Sequence, residues 1–299
     1  MIDKLANGTD IRSWITPGAK DAAASTYASI KTALESYTGL KEIDYEVFLQ
    51  GSYANATNTR GDSDVDIVVM LKSSFIPDIS NLSPAEKIRH EINKIPPSIY
   101  APEFRQLVEN ALALRYGNSH VHPKDKCIRV DKTSGYVDAD VVPALQYRRF
   151  KSYPQRGLPE YIEGISIHPS SGGNIVNFPK IHLKNGQHKN LLCLDRYKKT
   201  VRQLKRLRRA CVNAGLFDKR DAPGYLLECL VYNVPNEHFV VDDIERFYRI
   251  LVNLNSTSTS VMASEFYACD GIHKLFIDDP GRHDPHRTER VISAMRQAS

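Results

Sequence analysis

Apolar positions along the chain switch between two periods. Residues 20–37, DAAASTYASIKTALESYT, carry small and apolar side chains at helical spacing, and Gly39 supplies a stop, so a helix is predicted there. Tyr45 to Leu49 reads as a short strand ending at Gln50-Gly51-Ser52, and the polar stretch YANATNTRGDS after it reads as a loop. Asp64 to Leu71 follows as a strand, and the unbroken apolar run Ile67-Val68-Val69-Met70-Leu71 predicts that it is buried. Ser83 to His90, with Pro84 just inside its start, opens a helix, and Phe104 to Leu114 reads as another. Cys127–Val130 and Tyr136–Val142 read as a hairpin joined by DKTSG and closed by Pro143. Residues 150–190, rich in Gly, Pro, Ser and His, are expected to be irregular, and 195–214, 224–233 and 242–254 read as helices. The first half is therefore mixed α/β and the last third helical, an α+β chain with divisions expected at 1–150, 151–190 and 191–299.

Composition narrows the class. Of 299 residues, 41% are apolar and 25% charged, the balance of a soluble globular protein, which excludes a disordered chain, a collagen and a disulfide scaffold. No apolar run is long enough to cross a bilayer, and MIDKLANGTDIRSW at the start has no secretory h-region. Five cysteines form an odd set without a CxxC, which fits a reducing cytosol. A cytoplasmic protein without a membrane partner is expected.

Charge is unevenly spread. The net +5 conceals a block from Lys180 to Arg209 with eleven Lys and Arg against Asp195 alone, a local +10 that leaves −5 for the rest. Within it Lys198, Arg202, Lys205 and Arg209 fall on one helical stripe, while Tyr197, Val201, Leu204, Leu207 and Cys211 form a separate apolar one. A solvated helix face is the commoner origin of such a run; a packed helix with a row of cations beside a cleft would instead clamp phosphates.

The chemistry-bearing signal is Gly51-Ser52 followed, eleven residues after the serine, by Ser63-Asp64-Val65-Asp66. On a strand Asp64 and Asp66 project from the same face, and two such carboxylates stay ionised together only if a cation holds them. Magnesium, which takes oxygen ligands in the company of phosphates, is the natural cation. A third carboxylate is available in Tyr136-Val137-Asp138-Ala139-Asp140, where Asp138 and Asp140 again share a face. The matching chemistry is in-line attack of a hydroxyl on an α-phosphate, with two metals on the attacking and leaving oxygens. The Gly51-Ser52 turn would offer backbone N–H groups and a hydroxyl to the outer phosphates. Arg60 and Lys72 flank the acidic strand and are read as balancing it, and lone Trp14 as packing.

LQGSYANATNTRGDSDVDIVV resembles the nucleotidyltransferase fold of the polymerase-β-like superfamily, and more narrowly the bacterial cGAS/DncV-like nucleotidyltransferases, synthases of cyclic oligonucleotide signals in antiphage defence. ADVVPAL at 139–145, NFPKIHLKNGQHKN at 177–190, RYKKTVRQLKRLR at 196–208 and YLLECLVYNVP at 225–235 extend the likeness, which is strongest to clade E and covers roughly residues 45 to 235. The resemblance implies a nucleotidyltransferase core with an N-terminal helix, a nucleotide-facing seam and a helical C-terminal lobe, with the active site in the cleft between lobes. It implies Asp64, Asp66 and Asp140 as the catalytic ligands of two Mg2+ ions, Asp140 being the Asp directly before Val-Val-Pro and Asp138 the alternative. A donor nucleotide would lie on Gln50, Gly51 and Ser52 and on Lys199 and Lys205 of the cationic helix.

The product expected is a cyclic dinucleotide made from two NTPs. In the clade resembled, an Asn ahead of a Pro-x-x-His run goes with uracil; Asn177 stands there, with Asn174 as a second candidate, so UTP and ATP are the expected substrates and cyclic UMP-AMP or cyclic di-UMP the product. A carboxamide offers a donor and an acceptor to the uracil edge. No nucleic-acid activator is demanded, and a regulatory protein partner is left open. One departure is Gly224, where similar sequences place a Ser. His182, His188 and Cys193 match no zinc-site spacing and are read as loop or nucleotide-facing residues. Two rivals are a template-independent transferase acting on RNA, an antibiotic or a protein, and a non-catalytic nucleic-acid binder, for which aligned carboxylates have no use.

Overall fold

The computed structural model describes residues 5–6, 8–18, 21–59, 64–133, 135–278 and 283–299. Along the chain these form α1 (Gly8–Ser13), α2 (Asp21–Ser36), β1 (Tyr45–Gln50), α3 (Gly51–Ala54), β2 (Val65–Asp78), α4 (Pro84–Ile92), α5 (Ala101–Tyr116), β3 (Val121–Pro123), β4 (Ile128–Val130), β5 (Ala139–Ser152), β6 (Glu160–Ile167) and β7 (Ile175–Asn177). Then come α6 (Pro179–Leu192), α7 (Tyr197–Asn213), α8 (Gly224–Asn233), α9 (Asp243–Ser256), α10 (Thr259–Glu265) and α11 (Pro285–Gln297). Two compact units result: a sheet unit of Lys20–Gln50 and Ser63–Lys180, and a helical unit of Met1–Ala19, Gly51–Asp62 and Ile181–Ser299.

In the sheet unit the strand order is β1-β2-β5-β4-β3, with β6 on β5 and β7 on β6. Among the described strands only β2 and β5 pair in parallel, and the other pairings are antiparallel. The central position of β2 explains its apolar run: Val65 and Ile67 to Leu71 are fully buried, as a strand covered on both faces requires. The helix α4 starts on a capping box, Ser83 and Glu86 satisfying each other's backbone N–H groups, with Pro84 at its first turn.

Two expectations need correction. Pro143 does not close a hairpin: β5 runs through it to Ser152. The β4 pairing ends at Val141 and the β6 pairing begins at Ala144, so the missing N–H falls where that side of β5 carries no ladder. Residues 150–190 are not irregular either, since they hold β6, β7 and most of α6. Their alternation is broken at Gly164, and that glycine is there for space: a Cβ would lie 2.8 Å from the Asn177 carbonyl and 2.9 Å from the Phe178 ring.

The helical unit packs around α7, whose predicted apolar stripe, Tyr197, Val201, Leu204, Leu207 and Cys211, is wholly buried with Leu226, Leu230, Phe247 and Ile250. Trp14 packs edge-on against Phe247 at 6.4 Å, as expected of a packing residue. One buried acid organises the polar interior. Glu228 on α8 accepts a hydrogen bond from Thr57 at 2.9 Å, pairs with His182 on α6 at 3.0 Å, and lies 3.7 Å from the Lys205 ammonium.

Burial works against both charges of the Glu228–His182 pair, yet their mutual attraction prevails: the Glu228 carboxyl is held below its ordinary value and the His182 ring above. The lowered carboxyl contributes stability above about pH 4.5, lost as pH falls; the raised imidazole contributes below about pH 6.5, lost as pH rises. Removing one partner of a buried pair costs about 3–5 kcal/mol. Glu228→Gln is therefore expected to lower the urea midpoint, with the largest deficit between about pH 4.5 and 6.5, measured as unfolding curves across pH.

Candidate active site

The sheet sets a row of polar side chains across four strands. Gln50 on β1 stands opposite Asp66 on β2, Asp66 opposite Asp140 on β5, and Asp140 opposite Arg129 on β4. Directly paired residues share a face, so all four belong to one line, each about 4.8 Å from the next. Asp64, two residues before Asp66, joins the same face. Val65 and Ile67 on β2 and Ala139 and Val141 on β5, which alternate with these acids, are apolar and fully buried.

Arg129 is the cation among them. One terminal nitrogen lies 3.3 Å from Asp64 and 3.7 Å from Asp140, the other 3.0 Å from Asp138, and Nε is 3.7 Å from Asp131. The Asp140 carboxyl is nevertheless raised, because burial outweighs the attraction of Arg129. Burial and then the Asp140 charge push the neighbouring Cys127 thiol up to about 11, so it stays protonated and hydrogen-bonds Asp140. Asp138 is occupied differently: one oxygen accepts from the Lys132 N–H at 2.7 Å and the other meets Arg129. Both its oxygens are engaged by the chain, whereas Asp140 is the one aligned with Asp66.

β1 ends at Gln50, and Gly51 turns into α3 with φ +67°, a conformation glycine adopts without penalty. The rest of that segment is tied to α7 within the helical unit. Arg202 donates to the Ile15 and Ala56 carbonyls, Lys205 to the Thr57 carbonyl and hydroxyl at 3.2 Å, and Arg209 to the Thr59 hydroxyl at 3.0 Å. Arg202 and Lys205 are buried. The basic stripe is thus neither a solvated face nor a free row of cations: irregular backbone at 56–59 exposes carbonyls that need donors, and these side chains supply them. Lys199 is half-buried, and its ammonium makes no hydrogen bond or ion pair among the described residues. A Cβ at Gly224 would lie 3.3 Å from Lys205 Cε, so a serine there would crowd that lysine.

Asn177 ends β7 opposite Ile165, half-buried, and its carboxamide bonds no protein group among the described residues. Phe178 beside it is buried, edge-on to Tyr147 at 5.9 Å and under the Arg149 guanidinium at 5.2 Å. Asn174 is exposed. Arg60 and Ser63 lie outside the described residues, and Lys72 pairs with Asp44 at 3.7 Å.

Two family models match the chain: a nucleotidyltransferase domain over residues 29–116 and the cGAS/DncV-like nucleotidyltransferase C-terminal helical domain over 184–299. A cyclic UMP-AMP synthase of Rhodothermus marinus is 36% identical over 96% of this chain and 95% of its own. The chain belongs to the cGAS/DncV-like nucleotidyltransferase family. A cyclic dipyrimidine nucleotide synthase of Legionella pneumophila is 35% identical over 89% of the chain and 90% of its own, and a cyclic dipurine nucleotide synthase of Elizabethkingia meningoseptica 34% over 65% of each. The solved R. marinus structure, with Apcpp and Upnpp, superposes with a TM-score of 0.85 at 34% identity, covering 97% of this chain and 95% of that one.

Sequence reading missed Arg129 and Cys127, which stand within the carboxylate row. Their signal was the alternation of Cys127-Ile128-Arg129, which places both on one face of the strand beside the acidic one. A separate metal-capable cluster also exists: His182, Glu228 and Cys269 bring one ligand atom each within 4.8 Å of one another. It mixes nitrogen, oxygen and sulfur and is already bonded internally, so it does not suit magnesium. His188 is exposed and Cys193 bonds Asn236, so neither joins His182.

Gly164 sets where Asn177 runs. Gly164→Ala is expected to cost about 1–3 kcal/mol through overpacking, read as a lower thermal midpoint, because backbone and a buried ring form the clash and neither yields easily.

Proposed function

We propose that this nucleotidyltransferase joins two nucleoside triphosphates into a uracil-containing cyclic dinucleotide, a messenger of bacterial antiphage signalling, with magnesium held by Asp64, Asp66 and Asp140. The observation that carries the reading is the cross-strand line Gln50, Asp66, Asp140, Arg129, with Asp64 on its face. The donor set fits the metal: the proposed ligands are all carboxylates, and the Arg129 guanidinium already stands between Asp64 and Asp140 as a monovalent cation. When bound, the metal pair stabilises the attacking and leaving oxygens of an in-line displacement.

The chain's own groups supply the rest. The raised Asp140 carboxyl is suited to take the proton of a 3′-hydroxyl, which attacks the α-phosphate of the second nucleotide and releases pyrophosphate. A second attack closes the ring. The Gln50-Gly51-Ser52 turn and Lys199 are assigned to the donor triphosphate, while Lys205, turned inward onto Thr57, holds the loop that follows the turn. The unbonded Asn177 carboxamide is assigned to the uracil edge. Relatives of nearly equal identity carry names of pyrimidine and of purine products, so the base is set by few residues rather than by overall likeness.

Three outcomes test this. Pure protein given an equal mixture of four NTPs with Mg2+, and no acceptor, should yield a phosphatase-resistant product whose mass contains uridine; an all-purine product refutes the uracil assignment, and product only after an acceptor is added favours the rival transferase. Asp66→Asn and Asp140→Asn should each reduce synthesis by about 100-fold or more while the circular dichroism spectrum is kept. Asn177→Ser should lower the preference for UTP by about tenfold, since a polar base edge is left unpaired.

A further inference from the structure

The far ends of β2 and β5 frame a cavity of about 890 Å³, formed entirely within the sheet unit and of a size that takes a drug-sized ligand. Phe75 stands opposite Gln146, six residues beyond Asp140 on β5 and on the order of 20 Å along that strand, so the cavity is distinct from the carboxylate row. Its walls combine aromatic rings with cations. Lys72, Lys94 and Arg148 line it, and among the described residues no aspartate or glutamate does.

Arg148 is the informative residue. Its guanidinium carbon lies 3.8 Å from the centre of the Phe75 ring and 4.9 Å from that of Tyr161, and its Nε donates to Gln146 at 2.7 Å. Unlike Lys72 and Lys94, which pair with Asp44 and Glu91, it makes no ion pair among the described residues. Ring stacking and one hydrogen bond fix the fork, and its two terminal nitrogens keep their donors, the arrangement that receives a carboxylate or phosphate with least loss of side-chain freedom. A second group points the same way. His90 is 5% exposed and lines the cavity, yet its Nδ1 forms no hydrogen bond; a Glu91 oxygen 3.4 Å away is out of line for one. Ile95 and Leu158 at the wall are 86% and 88% exposed, apolar surface left open among the described residues.

We propose that this cavity binds a planar aromatic anion, its ring against Tyr161, Leu158 and Ile95 and its carboxylate or phosphate on the open fork of Arg148. The site stands independently of the proposed catalysis. Both nucleotides and non-nucleotide aromatic acids have this chemistry.

The test uses anilinonaphthalene sulfonate, a fluorescent aromatic anion, titrated into the full chain. One saturable site is expected, weakened about tenfold or more by Arg148→Gln. Leu158 is exposed, so its variants leave folding intact: Leu158→Glu should weaken binding about fivefold and Leu158→Lys should not. Displacement by uridine monophosphate identifies a nucleotide site, displacement by naphthalene carboxylate alone a non-nucleotide one. Equal affinity across the Leu158 pair, or displacement by neither compound at millimolar concentration, overturns the proposal. So does a dimer in sedimentation that Leu158→Glu dissociates, which would give the mouth of the cavity to a second copy of the chain.

Discussion

Parallel pairing of β2 and β5 forces Asp66 and Asp140 to within one strand spacing of each other. Two carboxylates about 5 Å apart repel by about 3 kcal/mol at an effective dielectric of about 20. The strands themselves outweigh this: burying one Val, Ile, Leu or Met side chain contributes roughly 1.5–3 kcal/mol, and Ile67 to Leu71 provide five in succession. The register cannot slip by one residue to relieve the repulsion without exchanging the side chains packed on the two buried faces of β2, which would disturb both layers of packing at once. A hydrophobic pairing thus holds an electrostatically unfavourable arrangement in place, with Arg129 offsetting part of the cost.

The two kinds of cation in the chain serve different ends. Arg129 meets four carboxylates and so answers charge with charge. Arg202 and Lys205 instead donate to the main-chain oxygens of Ile15, Ala56 and Thr57, Lys205 lying near Glu228 as well. Burial lowers the Arg202 pKa to about 10, still well above neutrality, so the guanidinium keeps its charge and all its donors. An excess of +10 over thirty residues therefore reports in large part on how a loop is held, and only in part on what the surface attracts.

Which features were legible follows from their physical origin. Helices such as α2, α7 and α9 were readable because their stripes repeat over several turns. β2 was readable because five apolar residues in a row must be buried, while the acids just before them must reach a polar edge. The shared face of Asp64 and Asp66 follows from strand period alone. Pro143 misled because its effect depends on which neighbours β5 has at that point, a fact of tertiary pairing. Residues 150–190 misled because Gly164 reads as a break, although it serves a close approach of Asn177 that only the folded sheet reveals. For Arg129 the strand alternation of Cys127-Ile128-Arg129 gave a face but not a role, since the role is set by its partner across β4 and β5.

Under the proposed reading, base choice rests on a feature of this second kind. Asn177 owes its place to a glycine thirteen residues earlier, to the Tyr147 and Arg149 contacts that fix Phe178, and to the single ladder of β7 on β6. None of these contacts involves the carboxamide, so the backbone is held while the side chain is left to meet a ligand. A core changes slowly because each substitution disturbs many neighbours, whereas a carboxamide that bonds no protein group among the described residues is exchanged at less cost. A family built on one carboxylate line is in that way free to change the base it reads while the geometry of its chemistry stays constant.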